Sequence, residues 1–151
     1  MNKIKIIGSG LAGPLLAILL AQKGFKIDLF EKRDDFRKSK NSAGRSINLA
    51  LSHRGIKALK KAKLFDMVKS HLIPMKGRLI HDLNGQLNFQ PYSINSKDCI
   101  FSVSRSELNK ILITSAEKVE NIRINFNHTL KSMNDNFLYF KDNKTIENEG
   151  I

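Results

Sequence analysis

Gly8, Gly10 and Gly13 stand in the spacing G-x-G-x-x-G within IIGSGLAG, and a carboxylate, Glu31, follows about twenty residues later. That combination has a defined chemistry. Glycine at the first place permits a tight turn out of a strand. At the second it lets a pyrophosphate approach the backbone, and at the third it lets helix and strand pack closely. The anion then rests on the free N–H groups at the helix start, and the acid accepts hydrogen bonds from a ribose.

Such a loop works only if a strand leads in and a helix leads out. Lys3 to Ile7 is a short run rich in isoleucine, as a buried parallel strand would be. Leu15, Leu16, Ile18, Leu19 and Leu20 then predict a helix that is apolar nearly all round and therefore buried. Pro14 fits its first turn, where backbone N–H groups have no intrahelical acceptor. Gly24 ends the helix, and Lys26 to Phe30 predicts a second strand that closes at Glu31. The competing interpretation is an export signal, with Lys3 and Lys5 before the apolar run Leu11 to Ala21. Leu20-Ala21-Gln22-Lys23 is a poor cleavage site, however, and Gly13-Pro14 breaks the apolar run. The ordered strand, loop, helix, strand and acid favour a dinucleotide site.

With 151 residues the chain is long enough for one domain with a real core. No other segment is apolar enough to span a membrane. Cys99 is alone, which excludes a disulfide framework and a cysteine metal site and makes a reducing cytoplasm the default location. His53, His71, His81 and His128 have no ligand-like spacing, so no metal is expected. The formal charge of +12 raises the possibility of nucleic-acid binding. The excess is mostly lysine mixed with asparagine, without an arginine stripe or interleaved aromatic platforms, so a solvated surface is expected and no nucleic acid.

Further along, Asp34 to Ala43 reads as a polar surface loop. Ser52 can cap a helix over His53 to Ala62, with Ile56 and Leu59 inward, and a shorter helix covers Leu64 to Ser70. Met75 to Leu83 alternates as a strand, Asn84-Gly85 reads as a two-residue hairpin turn, and Gln86 to Gln90 returns. Ser104-Arg105-Ser106-Glu107 is a capping box for a helix carrying Leu108, Ile111, Leu112 and Val119. Ile122 to Phe126 is a strand, and Leu130 to Met133 pairs with Phe137 to Lys141 around Asn134-Asp135-Asn136. The expected class is α/β, a Rossmann-like FAD/NAD(P)-binding fold with an inserted β-hairpin.

Three stretches carry a more specific resemblance: GRSINLALSHRG (Gly44 to Gly55), PMKGRLIHDLNGQLNFQPYS (Pro74 to Ser93) and SVSRSELNK (Ser102 to Lys110). With the glycine loop, they resemble the N-terminal part of the kynurenine 3-monooxygenase family of FAD-dependent aromatic hydroxylases. The resemblance covers nearly the whole chain. It implies FAD as cofactor, NADPH as hydride donor, and addition of one oxygen atom of O2 to L-kynurenine. It also implies the contacts. FAD would meet Gly8, Gly10, Ala12 and Gly13, Glu31 with Lys32, Arg33 and Asp34, then Arg45, Ala50, Arg105 and Leu130. Arg78 and Tyr92 would meet the substrate, and the hairpin from Met75 to Tyr92 would belong to the substrate side. The residue types suit those roles, since Arg78 offers a planar fork for a carboxylate and Tyr92 a hydroxyl on a rigid apolar body. Taken singly, Arg78 would pass for a solvated strand arginine and Tyr92 for a packed tyrosine.

The chain also departs from the family pattern. Lys63 stands where the family is expected to carry glycine, and a left-handed residue there would cost lysine roughly 1 kcal/mol. The Gly-Asp segment and the substrate-side sheet expected downstream are not found, so the catalytic unit is expected to be incomplete at its C-terminus. Two rivals stay open. One is an NAD(P)-dependent reductase, with Lys32 and Arg33 holding a 2′-phosphate; the other is a non-catalytic remnant that binds no cofactor.

Hairpin geometry adds one more expectation. A two-residue turn at Asn84-Gly85 pairs Arg78 with Pro91 and puts Arg78 and Tyr92 on opposite faces. Because Pro91 lacks an N–H, regular pairing is expected to stop near Gln90, letting Tyr92 swing onto the face of Arg78.

Overall fold

A computed structural model describes residues 2–38, 47–95 and 99–147. In chain order the elements are β1 (Lys3–Ile7), α1 (Ala12–Ala21), β2 (Lys26–Phe30), β3 (Asn48–Leu51), α2 (His53–Lys61) and α3 (Phe65–Lys69). There follow β4 (Ile73–Met75), β5 (Gly77–His81), β6 (Leu87–Pro91), β7 (Ile100–Ser104) and α4 (Arg105–Glu117). The last are β8 (Ile122–Asn125), β9 (Leu130–Met133), β10 (Phe137–Phe140) and β11 (Thr145–Glu147). Two compact units result, one from Met1–Arg45 with Asn109–Ile151, the other from Ser46–Leu108. Among the described residues, no helix is long and apolar enough to cross a membrane.

The first unit contains a parallel sheet in the order β1-β2-β8, with Ile7 opposite Phe30 and Phe30 opposite Asn125. Its core holds Ile27, Leu29 and Phe30 of β2, Ala17 and Ile18 of α1, and Leu112 and Ile113 of α4. The helix α1 is not covered all round as its composition predicts: Leu16 stays 47% exposed. A second, antiparallel sheet in the order β11-β10-β9 seals Leu138 and Phe140 against Phe30, with Leu130 and Ile146 packed beside them. The strand β11 is an addition to the elements that the sequence predicts.

The stretch after β2, expected to be a surface loop, is anchored over its described part. Asp35 is buried, and its carboxylate accepts two hydrogen bonds from the Arg37 guanidinium at 2.8 and 2.7 Å. Arg37 also donates to Thr114 Oγ1 and to Glu117 Oε2 on α4. The hydrogen bonds from Arg37 hold the Asp35 carboxyl below its ordinary value despite burial, which acts the other way.

In the second unit an antiparallel sheet runs β3-β7-β4, and β5 pairs with β6. The sequence pattern does not predict β3, β4 or β7. Met75 ends β4 opposite Ile100, so the hairpin strands span Gly77 to Pro91 rather than starting at Met75. The helix α2 closes through a left-handed residue, Lys63, at φ 59°. Leu64 N–H donates to Leu59 C=O and Lys63 N–H to Lys60 C=O, the two bonds of a Schellman motif, and Leu59 and Leu64 are both buried.

The hairpin corrects the turn. Asp82 N–H donates to Gln86 C=O, leaving a three-residue loop, Leu83-Asn84-Gly85, with Gly85 at φ 79°. The Asp82 carboxylate accepts from the N–H groups of Asn84 and Gln86 and so selects this loop. The register moves by one residue, and Arg78 faces Gln90, not Pro91. Pairing does not stop at Gln90: Gly77 faces Pro91, and Tyr92 N–H still donates to Lys76 C=O. Because bonded pairs alternate along an antiparallel ladder, Pro91 falls at a non-bonded position where its missing N–H costs nothing.

Candidate dinucleotide-binding site

The glycine loop divides its work among three positions. Gly8 leaves β1 at φ 99°, and its N–H donates to Phe30 C=O at 2.7 Å, tying the turn to β2. A Cβ on Gly13 would overlap the Gly8 carbonyl oxygen and press on Leu29 Cδ1, so only glycine lets α1 approach β1 this closely. A Cβ on Gly10 would meet nothing within 4 Å. The second glycine therefore answers to no neighbour in the fold, and the space beside it is open to a ligand. Behind it, α1 begins at Ala12 without a side-chain cap and without an acid in its first turn. Its first N–H groups and the positive end of its dipole are left for an external anion. A dinucleotide pyrophosphate fits these donors.

The acid is fastened to the same loop. Ser9, only 3% exposed, donates from its backbone N–H (2.8 Å) and its hydroxyl (3.2 Å) to Glu31 Oε2. Arg33 N–H donates to Oε1 at 3.0 Å. Burial alone would raise the Glu31 pKa, but these hydrogen bonds and the Arg33 charge outweigh it and hold the carboxyl below its ordinary value. The group is an oriented anion able to accept from ribose hydroxyls, and it would repel a phosphate placed on that ribose. Ser9 is a site residue that the sequence motifs do not single out. A signal for it exists, because Ile7 opposite Phe30 brings the two strand ends together two residues before Ser9 and one before Glu31.

The stretch after Glu31 is braced from one side. His128 N–H donates to Glu31 C=O, Asn127 N–H to Arg33 C=O, and the Asn127 amide to Asp34 Oδ1 at 2.6 Å. Lys32 and Arg33 remain exposed. Leu130 opens β9 opposite Phe140 and packs on the Phe30 cluster. The first unit therefore brings together Gly8, Gly10, Ala12, Gly13 and Glu31, with Lys32, Arg33 and Asp34 alongside.

The remaining residues lie in the second unit or outside the described residues. Ala50 sits on β3 opposite Ser102. Arg105 opens α4, and its N–H donates to Ile47 C=O, so Ala50 and Arg105 share one strand pair and its exit. The capping box forms weakly, with Glu107 N–H 3.5 Å from Ser104 Oγ, and Val119 lies beyond the helix end. Arg45 falls outside the described residues. Arg78 and Tyr92 share a face of the hairpin because 76, 78 and 80 stand opposite 92, 90 and 88 in the observed register. Arg78 Nε donates to Gln90 Oε1 at 2.7 Å on that face, and both Arg78 and Tyr92 are exposed.

Residues 6–69 match a family model described as an NAD(P)-binding Rossmann-like domain. Among solved structures, 97% of the chain superimposes on 37% of 2-methyl-3-hydroxypyridine-5-carboxylic acid oxygenase, with a TM-score of 0.79 and 20% identity. A p-nitrophenol 4-monooxygenase from Pseudomonas putida gives a TM-score of 0.71 at 17% identity, over 99% of this chain and 38% of the other. Fold and loop together define a Rossmann-like dinucleotide-binding domain, the fold that these oxygenases share. Over its matched residues the chain is similar to part of the kynurenine 3-monooxygenases. It is 50% identical over 131 residues to the kynurenine 3-monooxygenase of Cytophaga hutchinsonii, covering 85% of this chain and 28% of that protein. It is 48% identical over 131 residues to that of Anopheles gambiae, covering 87% of this chain and 27% of the relative. The chain thus spans under a third of the length of these relatives.

Proposed function

We propose that this chain forms the FAD-cradling part of a monooxygenase that hydroxylates L-kynurenine with NADPH and O2. The observation that carries it is the contrast between Gly13, which the fold itself requires, and Gly10, beside which the fold leaves open space under an uncapped helix start. Gly8, Gly10, Ala12 and Gly13 would hold the pyrophosphate. Glu31 would hold the adenosine ribose, flanked by Lys32, Arg33 and Asp34. Arg45, Ala50, Arg105 and Leu130 are the further contacts proposed for FAD. When bound, FAD supplies the redox chemistry that passes reducing equivalents from NADPH to O2. An ionised Glu31 disfavours a 2′-phosphorylated ribose on this loop, which supports FAD here over NADPH.

On the substrate side, Arg78 would pair its guanidinium with the amino-acid carboxylate and Tyr92 would steer the aromatic amino ketone. The three-residue loop at Leu83 to Gly85 supports this assignment, because it sets both residues on one face without any break in the ladder. Hydroxylation also needs a closed, dry pocket. Arg78 and Tyr92 are exposed here, so the chain alone should form no product.

The test is a chimera in which this chain replaces the matched segment of the Cytophaga hutchinsonii enzyme. It should convert L-kynurenine with NADPH, and Arg78→Met should raise KM for kynurenine by about a hundred-fold, the loss of one bidentate charge pair. A folded, FAD-loaded chimera that ignores kynurenine, or product from this chain by itself, would overturn the proposal.

A further inference from the structure

The sheet β9-β10-β11 carries a feature that the dinucleotide loop does not use. Its inner face holds Leu138 and Phe140 in the core. Around the turn from β10 to β11 lies an open concavity of about 450 Å³ whose lining includes Lys131, Tyr139, Phe140, Lys141, Asn143 and Lys144. Ligand sites of small molecules commonly measure about 300–1,000 Å³.

A backbone irregularity builds this surface. Tyr139 faces Ser132 while the next residue, Phe140, faces Leu130, so Lys131 is the extra residue of a β-bulge. A bulge breaks strict alternation and re-aims one side chain, here placing a lysine beside Tyr139. The turn into β11 passes through Asn143 at φ 61°, and Lys141 and Lys144 flank it. Tyr139 accepts an amide hydrogen bond from Asn134 at its hydroxyl at 3.2 Å, its ring tilts against Phe137, and it is part of the lining of the concavity. Lys144 is shared with Asp142 at 3.3 Å and with His128 Nε2 at 3.3 Å. Among the described residues, Lys131 and Lys141 make no ion pair with a carboxylate.

We propose that this concavity binds the phosphorylated end of a nucleotide. The lysines would take a phosphomonoester, and the Tyr139 ring would take the base by stacking. The chemistry is the converse of Glu31, whose carboxylate repels phosphate on its ribose. The site stands on its own cavity. Only its connection to the 2′-phosphate of NADPH rests on the function proposed above.

The test is calorimetric titration of the full chain with adenosine 2′,5′-bisphosphate, adenosine and inorganic phosphate. The bisphosphate should bind at one site and more tightly than either adenosine or phosphate. Lys131→Gln with Lys141→Gln should weaken it by about ten-fold, the combined worth of two solvent-exposed ion pairs with phosphate. Tyr139→Leu should erase its advantage over inorganic phosphate, and Gly10→Asp should change nothing. Circular dichroism confirms that each variant is folded, and a double lysine variant that unfolds is replaced by the single Lys131→Gln, with a several-fold loss expected. No binding by the wild type, binding untouched by the lysine changes, or binding abolished by Gly10→Asp would each overturn the proposal.

Discussion

Lys63→Gly should stabilise the protein, although it removes a side chain and adds none. Lys63 is the left-handed residue of the Schellman motif that ends α2, at φ 59°. A β-carbon in that conformation costs about 1–2 kcal/mol. Glycine gives back about 0.4–1 kcal/mol through its freer unfolded chain. The expected net gain is about 0.5–1 kcal/mol, or a rise in Tm of about 1–4 °C for a chain of this size. The side chain is exposed, so no packing is lost. Thermal and urea melts of wild type, Lys63→Gly and Lys63→Ala separate the causes. Alanine removes the charge next to Lys60 and Lys61 but keeps the β-carbon, and it should gain little. If alanine stabilises as much as glycine, charge repulsion and not backbone geometry is responsible, and the reasoning fails. The end of α1 is the internal comparison: Gly24, at φ 88°, already supplies glycine at the corresponding place, with Phe25 N–H donating to Leu20 C=O.

Three other outcomes follow from the first unit. Gly13→Ala should destabilise by about 1–3 kcal/mol in denaturant melts because its β-carbon has no room, whereas Gly10→Ala should stay within about 0.5 kcal/mol of wild type. Arg37→Ala should cost about 2–3 kcal/mol, since it leaves the buried Asp35 carboxylate without its guanidinium; a melt unchanged from wild type would show that solvent replaces the pair. The Glu31 carboxyl lies below its ordinary value of 4.5 in the folded chain. Its contribution is therefore complete above that value and is lost as pH falls through the lower folded-state value. Stability of wild type relative to Glu31→Gln, measured by urea melts from pH 7 down to pH 3, should narrow only in the acid range; a gap that widens there would reverse the sign.

What the sequence reveals is local. The strand Lys26–Phe30, the helix stop at Gly24 and the strained Lys63 all follow from neighbours a few residues away. The strands β3, β4 and β7 escape notice because Asn48–Leu51 and Ile73–Met75 are short and only partly buried, and become strands through a distant partner, β7. Asp35 and Arg37 look like loop residues because their anchors, Thr114 and Glu117, lie far along the chain. The hairpin register differs by one residue for a chemical reason. Asn84-Gly85 is a strong two-residue turn signal, yet the Asp82 carboxylate captures the N–H groups of Asn84 and Gln86 and turns it into a three-residue loop. At the dinucleotide loop, spacing identifies the glycines but not the difference between them. That difference is three-dimensional, because the overlap at Gly13 and the open space at Gly10 depend on how α1 meets β1.

The most direct measurement is FAD binding by the purified chain, followed by quenching of flavin fluorescence and by thermal stability. FAD should bind at one site and raise Tm in proportion to the logarithm of its concentration, since a ligand selective for the folded state must stabilise it. Gly10→Asp should abolish both effects while leaving the ligand-free melt in place, because the open space and the helix-start N–H groups would then face a carboxylate. A wild-type chain that is folded yet neither quenches FAD nor gains stability from it would contradict the assignment of this loop to a dinucleotide.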